Sequence, residues 1–285
     1  MVDAHQHFWQ LGGADPPRVA VEHEPLRRDF LPDDLRPELA AAGVDATVLV
    51  QAANSARETD SMLRVAGDTG FVAGVVGWVP LSDPRQAEAA LERHRSRAAF
   101  KGVRHLPVAG ADPDWLVDPP VLESLALLAD AGVILDVVAA GPGDLRRVAA
   151  VAERLPQLGV VVDHLGTPPL PDGGWEPWAS LLRRAAEHPR VCAKVSAGLA
   201  VVSRWPRWSA DELRPYVDHA VACFGPDRLM FASNWPVVLL AGDYRLVWAG
   251  TNAALAGLSP PERAAVLGGT AARVYRLDAQ DREVA

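Results

Sequence analysis

The 285-residue sequence lacks several features that mark particular classes of protein. It has only two cysteines, Cys192 and Cys223, and their apolar surroundings predict buried reduced thiols rather than a disulfide or a close pair of metal ligands. No segment approaches the roughly 20 apolar residues of a membrane-spanning helix, and no basic leader with an apolar stretch precedes a cleavage site. We therefore expect a cytoplasmic protein without a membrane segment.

Basic residues are fewer than acidic ones, with 28 Lys and Arg against 36 Asp and Glu. The formal net charge is -8 and the sequence pI is about 5.5, and the pairs Arg27-Arg28 and Arg183-Arg184 are too short to form a basic patch. Nucleic acids and anionic membranes repel such a surface, so neither is an expected partner. The sequence leaves open whether the chain forms a homodimer.

Internal repeats, low-complexity tails and linkers are also missing. The composition, with 49% hydrophobic and 22% charged residues, is typical of a globular protein with a large core. We therefore expect residues 1–285 to form a single domain.

Eight β-rich segments alternate with amphipathic segments, which predicts an α/β protein with a parallel sheet and crossover helices. Eight such units in roughly 250 residues indicate a (β/α)8 TIM barrel, whose functional residues lie at the carboxyl ends of the strands. A doubly wound open sheet is the alternative, but it normally has a Gly-rich phosphate turn where this chain has His5-Gln6-His7. The predicted strands are Val2 to Phe8, Ala46 to Gln51, Val72 to Val79, Gly102 to Leu106, Val133 to Val138, Val160 to His164, Val191 to Ser196 and Leu229 to Ser233.

Three segments between the strands carry specific signals. Ser55 and Glu58 have the spacing of a capping box at the start of a helix. A further helix is predicted from Pro260 to Leu267. The long segment from Leu11 to Phe30 has little regular pattern, and we expect it to pack over the barrel mouth as a loop.

Polar and titratable residues collect at the ends of the predicted strands. Such side chains cost free energy in an apolar barrel unless they meet partners, so their convergence on one mouth predicts a functional site. A structural role, paired within the core, is the alternative for each of them. They are His5 and His7 in strand one, Gln51 and Asn54 at strand two, Arg104 and His105 in strand four, Asp163 and His164 at strand six, Lys194 and Ser196 in strand seven, and Ser233 and Asn234 at strand eight.

The residue types indicate the chemistry. His5 and His7 are two residues apart in a strand and therefore face the same side, as a metal or a polarised carbonyl requires. The guanidinium of Arg104 suits an anionic or oxygen-rich substrate. Trp78 and Trp235 lie at strand ends, where aromatic faces often line sugar-like substrates, with core packing as the alternative.

These residues belong to motifs that resemble the amidohydrolase superfamily, in particular its lactonase branch that acts on L-fuconolactone and L-rhamnonolactone. The resemblance spans nearly the whole chain and rests on the motifs taken together. They include Asp3-Ala4-His5-Gln6-His7-Phe8-Trp9, Gly102-Val103-Arg104-His105, Asp163-His164-Leu165-Gly166 and Phe224-Gly225-Pro226-Asp227-Arg228.

The resemblance implies a distorted TIM barrel that opens a small lactone ring by adding water. It implies that His5, His7 and His164 bind or orient the carbonyl, in this branch often without a metal. Arg104 would hold the polar groups of the substrate, together with Gln51, Asn54, His105, Trp78 and Trp235 around it. The aspartate that activates water in such enzymes would stand at position 234, where this chain has asparagine.

Asn234 challenges catalysis, because an amide cannot accept a proton near neutral pH. One interpretation is an Asp-to-Asn replacement that inactivates a lactonase, in which case restoring aspartate is expected to increase hydrolysis at least about 10²-fold. A second is a natural relative that uses another base, such as His164 or His105, or performs different chemistry. A third is a small-molecule binding or sensor protein.

A metal-dependent decarboxylase of the same superfamily is a further alternative. His5, His7 and His164 could hold one divalent ion such as Zn²⁺. The missing carboxylate removes a charged ligand and should weaken such a site.

Overall fold

The computed structural model describes residues 1–13, 15, 19–106, 112–170, 173–205 and 207–277, and the statements below concern these residues. Eight parallel strands pair in chain order, and the segment after the last strand pairs with the first through Trp235 and Gln6. The sheet therefore forms a nearly closed (β/α)8 barrel, which confirms the predicted fold. The strands are β1 (Val2–Gln6), β2 (Ala46–Val50), β3 (Val72–Gly77), β4 (Phe100–His105), β5 (Ile134–Val137), β6 (Val160–Val162), β7 (Val191–Val195) and β8 (Leu229–Phe231).

Helices cover the outer face of the sheet, so most strands are buried on both sides and consist of apolar, β-branched residues. In chain order the helices are α1 (Pro32–Ala42), α2 (Ala56–Asp68), α3 (Pro84–His94), α4 (Pro119–Ala131), α5 (Pro142–Arg154), α6 (Trp178–Ala186), α7 (Leu199–Val202), α8 (Ala210–Phe224), α9 (Tyr244–Ala254), α10 (Pro260–Ala264) and α11 (Thr270–Val274).

The strands end earlier than predicted. Strand β1 ends at Gln6 and β6 ends at Val162, so His7 and His164 lie just beyond the ladder rather than within it. After β6 the backbone turns sharply, with positive φ at His164 and Leu165, and the local residue pattern does not reveal this turn. The polar residues still emerge at the carboxyl end of the barrel.

The start of α2 differs in detail from the predicted capping box. Ser55 Oγ accepts hydrogen bonds from the backbone N–H groups of Arg57 and Glu58, as expected. The Glu58 carboxylate does not bond back to Ser55. It accepts the N–H groups of Ala52 and Ala53, each at 2.8 Å, and so fixes the loop that follows β2.

The predicted helix from Pro260 to Leu267 is wrong in its extent. Helix α10 ends at Ala264, and a π-helical turn over Ala265–Gly269 leads into α11. Gly268 departs from helical geometry and packs closely against β1, where a Cβ would lie 3.0 Å from the backbone nitrogen of Val2.

The described part of the segment from Leu11 to Phe30 is anchored to the barrel. Trp9 and Phe30 form an antiparallel bridge, and Leu26 and Phe30 are buried. Residues 14 and 16–18 of this predicted loop lie outside the described residues.

Two further features concern the cysteines and the length of the helices. Cys192 and Cys223 are both free thiols, as expected, but only Cys192 is buried and Cys223 is half-buried. Among the helices of the described residues, none is long and apolar enough to cross a lipid bilayer.

Candidate active site

The junction between β1 and the segment after β8 brings His5, His7 and Asn234 together. The N–H of Asn234 donates to the carbonyl of His5 at 2.9 Å, and the N–H of His7 donates to the carbonyl of Trp235 at 2.8 Å. Asn234 has a φ of 57°, in the left-handed region that asparagine tolerates better than most residues. The amide of Asn234 therefore lies directly beside the histidine pair.

A buried carboxylate supports this junction from below. Asp3 Oδ1 accepts the N–H groups of Ser233 and His5, and Asp3 Oδ2 accepts the hydroxyl of Tyr244 at 3.1 Å. Burial raises the pKa of Asp3 to about 6, although these hydrogen bonds lower it. Asp3 thus ties the first and last strands together under the site.

His5 is fully buried at the centre of the site. Its Nε2 lies 3.1 Å from His7 Nε2 and 3.2 Å from a terminal nitrogen of Arg104. Its Nδ1 lies 3.1 Å from Lys194 Nζ and 3.3 Å from Asp163 Oδ1. Both nitrogens of this ring are therefore enclosed by protein groups.

Four charged side chains surround His5 and compensate one another. Arg104 donates to Asp163 Oδ2 at 3.1 Å and to the carbonyl of Gln51. Lys194 donates to Asp136 Oδ2 at 2.5 Å and lies 3.0 Å from Asp163 Oδ1. The second of these contacts is an ion pair rather than a well-aligned hydrogen bond, because Oδ1 of Asp163 lacks a hydrogen-bond partner of good geometry. Two buried cations thus face two buried carboxylates.

The electrostatics keep these groups in defined charge states. Burial raises the pKa of Asp163, but Lys194, His5 and Arg104 outweigh it and hold this pKa well below its usual value. Burial raises the pKa of Asp136 to about 6 against the opposing effect of Lys194. Near pH 7 both carboxylates are therefore ionised.

The three imidazoles are neutral near pH 7. Burial lowers the pKa of His7 to about 3 and that of His164 to about 4, and it lowers the pKa of His5 well below its usual value. The cations Arg104 and Lys194 add to this effect. Each ring therefore has one protonated nitrogen and one lone pair.

His164 reaches the site from a strained turn after β6. His164 and Leu165 have φ values of 54° and 51°, which non-glycine residues rarely adopt. The ring centroids of His164 and His5 are 4.6 Å apart, and His164 Nδ1 lies 2.8 Å from Ser196 Oγ. Backbone strain of this kind persists only where surrounding contacts fix it, as they do here.

The residues after β2 and β4 form one wall of the mouth. Gln51 Nε2 donates to Asn54 Oδ1 at 3.0 Å, and Asn54 Nδ2 donates to the carbonyl of Leu106 at 2.9 Å. Trp78 Nε1 donates to His105 Nδ1 at 3.1 Å. The predicted substrate-binding residues Gln51, Asn54, Trp78 and His105 therefore form one connected cluster, with Trp115 stacked on His105.

Two predicted substrate-binding residues lie deeper than this wall. Arg104 is 3% exposed and most of its donors are engaged by protein acceptors, although its Nε has no partner among the described residues. Trp235 is buried against Phe30 and Phe8, at centroid distances of 5.3 and 6.0 Å. Both side chains support the site from within the core.

Asp136 and Tyr275 were not among the residues singled out in the sequence. The Tyr275 hydroxyl donates to the Asp136 carboxylate at 2.8 Å, and this pair anchors Lys194 beneath His5. The sequence does contain a signal for Asp136, because it is a charged residue inside the apolar strand Ile134–Val137. Tyr275 gives no such signal, because it lies far along the chain in the last described turn.

One group in the described residues could hold a divalent metal ion. The ligand atoms of His5, Asp163 and His164 all lie within 4.8 Å of one another. The sequence suggested His7 as the third ligand, and the geometry groups Asp163 with the other two instead.

Comparisons with known proteins agree with the sequence motifs. The amidohydrolase family model matches residues 2–277. Two L-fucono-1,5-lactonases, from Burkholderia ambifaria and Burkholderia multivorans, are each 37% identical to this chain, and each alignment covers 97% of this chain and 96% of the relative. A crystal structure of an amidohydrolase from Burkholderia multivorans with bound zinc superposes with a TM-score of 0.88 at 34% identity, covering 97% of this chain and 99% of that one.

Proposed function

The chain belongs to the amidohydrolase family, and on that premise we propose that it is a hydrolase that opens the ring of a sugar lactone by adding water. The substrate class that we propose is L-fucono-1,5-lactone or a closely related sugar lactone. The relatives named L-fucono-1,5-lactonase support it, since the match extends over nearly the whole of both chains.

The observation that carries the proposal is the convergence of three neutral imidazoles on two buried cations at the carboxyl end of the barrel. Attack of water on a lactone carbonyl places negative charge on the carbonyl oxygen. Preorganised positive charge in a water-poor site stabilises such an oxyanion. Arg104 and Lys194 contribute positive charge around the fully buried His5, and we propose that the carbonyl rests against His7 and His164, which are 5% and 6% exposed.

We propose the cluster of Gln51, Asn54, Trp78 and His105 as the wall that recognises the hydroxyl groups of the sugar. Amide and imidazole groups offer both donors and acceptors, and indole faces pack on the apolar faces of a sugar ring. Trp235 backs this wall from the core.

A metal ion is not required in the reaction that we propose. In the described conformation His5, Asp163 and His164 do not fit a divalent ion well, because Lys194 Nζ lies 3.0 Å from Asp163 and 3.1 Å from His5. An added ion would have to displace this ammonium or bind beside it, and no free carboxylate of the group remains to compensate the charge.

We also propose the cytoplasm as the location, which the two free thiols support.

The test is a panel of lactones in weak buffer with a pH indicator. L-Fucono-1,5-lactone and L-rhamnonolactone are expected to release acid, and a mirror-image D-lactone serves as the control for non-enzymatic opening. Binding of these lactones without acid release would refute the enzyme and support a binding or sensor protein. Release of carbon dioxide from an aromatic acid would instead support the decarboxylase alternative.

A further inference from the structure

The active site contains several imidazoles but no carboxylate at position 234, so the group that takes the proton from water must be identified from the hydrogen bonds. An ammonium group can only donate, so Lys194 Nζ, 3.1 Å from His5 Nδ1, fixes that nitrogen as an acceptor. The Arg104 guanidinium, which also can only donate, lies 3.2 Å from the other ring nitrogen, Nε2, so both nitrogens of His5 face cationic donors. His5 has no lone pair left for a water molecule.

The tautomer of His7 follows in the same way. His7 Nδ1 lies 2.7 Å from the carbonyl of Val50, which can only accept, so Nδ1 carries the proton. The lone pair of His7 is on Nε2, which faces Nε2 of the buried His5 ring at 3.1 Å. The His5 ring therefore occupies the position beside His7 Nε2 that a water molecule would need.

His105 is occupied as well. Its Nδ1 accepts the indole N–H of Trp78 at 3.1 Å. Its Nε2 lies 3.4 Å from Asn54 Nδ2, so both nitrogens of this ring have protein partners.

His164 is the exception among the imidazoles of the mouth. Its Nδ1 lies 2.8 Å from Ser196 Oγ, and a serine hydroxyl can accept the Nδ1–H. Within the described part of the chain, Nε2 of His164 has no hydrogen-bond partner, and it is not among the buried unpaired atoms. The residue His164 is 6% exposed, compared with 5% for His7 and 0% for His5. Nε2 of His164 is thus free of described protein partners at the mouth, and it offers a lone pair when Nδ1 donates to Ser196.

Asn234 holds the segment that orients this ring. Its Nδ2 donates to the carbonyl of Ala197 at 2.9 Å. On one side of Ala197, Ser196 bonds to His164. On the other side Gly198 packs on the ring so closely that a Cβ there would lie 2.9 Å from His164 Cδ2. An aspartate at 234 has only acceptors when ionised and would repel the Ala197 carbonyl.

We propose that His164 is the catalytic base of this chain and that Asn234 is a positioning residue that holds residues 196–198 around it. The inference rests on the proposed lactone hydrolysis. The oxygen of water attacks the carbonyl carbon while its proton moves to His164 Nε2. The ring C–O bond then breaks, and the imidazolium returns the proton to the leaving alkoxide, so that the product is the open hydroxy acid.

The first test removes the base and supplies it again from solution. His164→Gly leaves a space for free imidazole, and glycine adopts the positive φ of this position without strain. We expect kcat to fall at least about 10²-fold and added imidazole to restore it at least about tenfold. His164→Asn, which also tolerates this backbone, is a second variant that should fold and lose activity to the same degree.

The matched control is His94→Ala, at a buried histidine of α3 that stacks on Phe100 away from the site. It should keep kcat and show no response to imidazole. His164 variants that retain kcat within about threefold, or that fail to respond to imidazole while folded, would overturn the assignment.

The second test concerns Asn234. We expect Asn234→Asp to lower kcat at least about tenfold with little change in KM, because the lost donor releases the segment around His164. Asn252→Asp is the control, since the Asn252 amide also donates to a backbone carbonyl, that of Trp248 at 2.9 Å, outside the site. An increase in kcat for Asn234→Asp would place the base at position 234 and overturn the proposal.

The proposed function and the role of His164 can be refuted separately. A parent chain that hydrolyses no lactone refutes the proposed function. A parent chain that hydrolyses lactones with the His164 variants unaffected refutes this inference alone.

Discussion

Lys194 Nζ lies 3.0 Å from Asp163 Oδ1, and both side chains are fully buried. These residues are 31 positions apart in the chain and come from neighbouring strands, β7 and the end of β6. A buried charge that loses its partner is strongly destabilising, because the remaining ion has neither water nor a counter-charge. The pair therefore maintains the barrel as well as the site.

Lys194→Met should accordingly destabilise the protein. We expect the free energy of unfolding to fall by about 3–5 kcal/mol, because Asp136 and Asp163 lose their ammonium partner. Urea denaturation at pH 7 measures this. Lys101→Met is the control, since Lys101 donates to the exposed carbonyl of Arg276, and it should cost less than about 1 kcal/mol. Equal losses in the two variants would contradict the ion-pair argument.

Glu58 should make stability depend on pH. Burial raises its pKa from 4.5 to about 7, although the N–H groups of Ala52 and Ala53 lower it. Between these two pH values the folded chain binds more protons at Glu58 than the unfolded chain does, so this contribution to stability falls as pH rises.

The measurement is the free energy of unfolding of the parent and of Glu58→Gln at pH 5, 6, 7 and 8. The advantage of the parent over the variant should shrink with rising pH, by on the order of 1–3 kcal/mol in total. Glu88→Gln on the exposed face of α3 is the control and should show a constant difference. A difference for Glu58→Gln that stays constant or grows with pH would contradict the prediction.

Gly250 in α9 leaves room for Trp208. A Cβ at this position would overlap with the Trp208 ring, which is 3% exposed. We expect Gly250→Ala to lower the free energy of unfolding by about 1–3 kcal/mol through overpacking. Gly67→Ala in α2 has no atom within 4 Å of the new Cβ and should stabilise by about 0.5–1 kcal/mol. Thermal unfolding measures whether Gly250→Ala lowers the stability and Gly67→Ala raises it. A Gly250→Ala variant as stable as the parent, or more stable, would contradict this packing argument.

Trp78→Phe tests the proposed substrate wall. The variant keeps an aromatic ring but loses the N–H that fixes His105, so KM for the lactone should rise about two- to tenfold, as expected for one hydrogen bond, with kcat changed less. Trp248→Phe is the control, because Trp248 packs on Phe231 and lines a cavity at the opposite, amino end of the barrel. An unchanged KM for Trp78→Phe would remove this wall from the proposal.

Removal of metal ions should leave activity intact. Dialysis against a chelator is expected to change kcat/KM by less than about twofold, because Lys194 and Arg104 already provide positive charge at the site. Elemental analysis of the dialysed protein shows whether zinc has been removed. Loss of activity that zinc alone restores would assign an ion to His5, Asp163 and His164.

Much of the fold was predictable because strands and helices are marked by patterns of residues close together in the chain. The alternation of apolar β-branched runs with amphipathic segments predicts eight strands, and all eight are present in the expected order. Strand ends were less accurate, as at His164, because the sharp turn of the backbone there is not visible in the local residue pattern. The predicted helix after Pro260 was wrong in extent, and the irregular turn that replaces its end packs against Val2 of β1, a contact far apart in the chain.

The sequence by itself determined the barrel and the set of residues at its carboxyl end, since hydrophobic periodicity and residue identity depend only on neighbours along the chain. Which imidazole keeps a lone pair was decided by the tertiary structure. Lys194 contacts a ring nitrogen of His5, the Val50 carbonyl contacts one of His7, and Trp78 donates to one of His105. Asn234, which follows β8, donates to the carbonyl of Ala197, which follows β7. Hydrogen-bond partners of this kind are set by folding, because only the closed barrel brings them within 3 Å or so of one another.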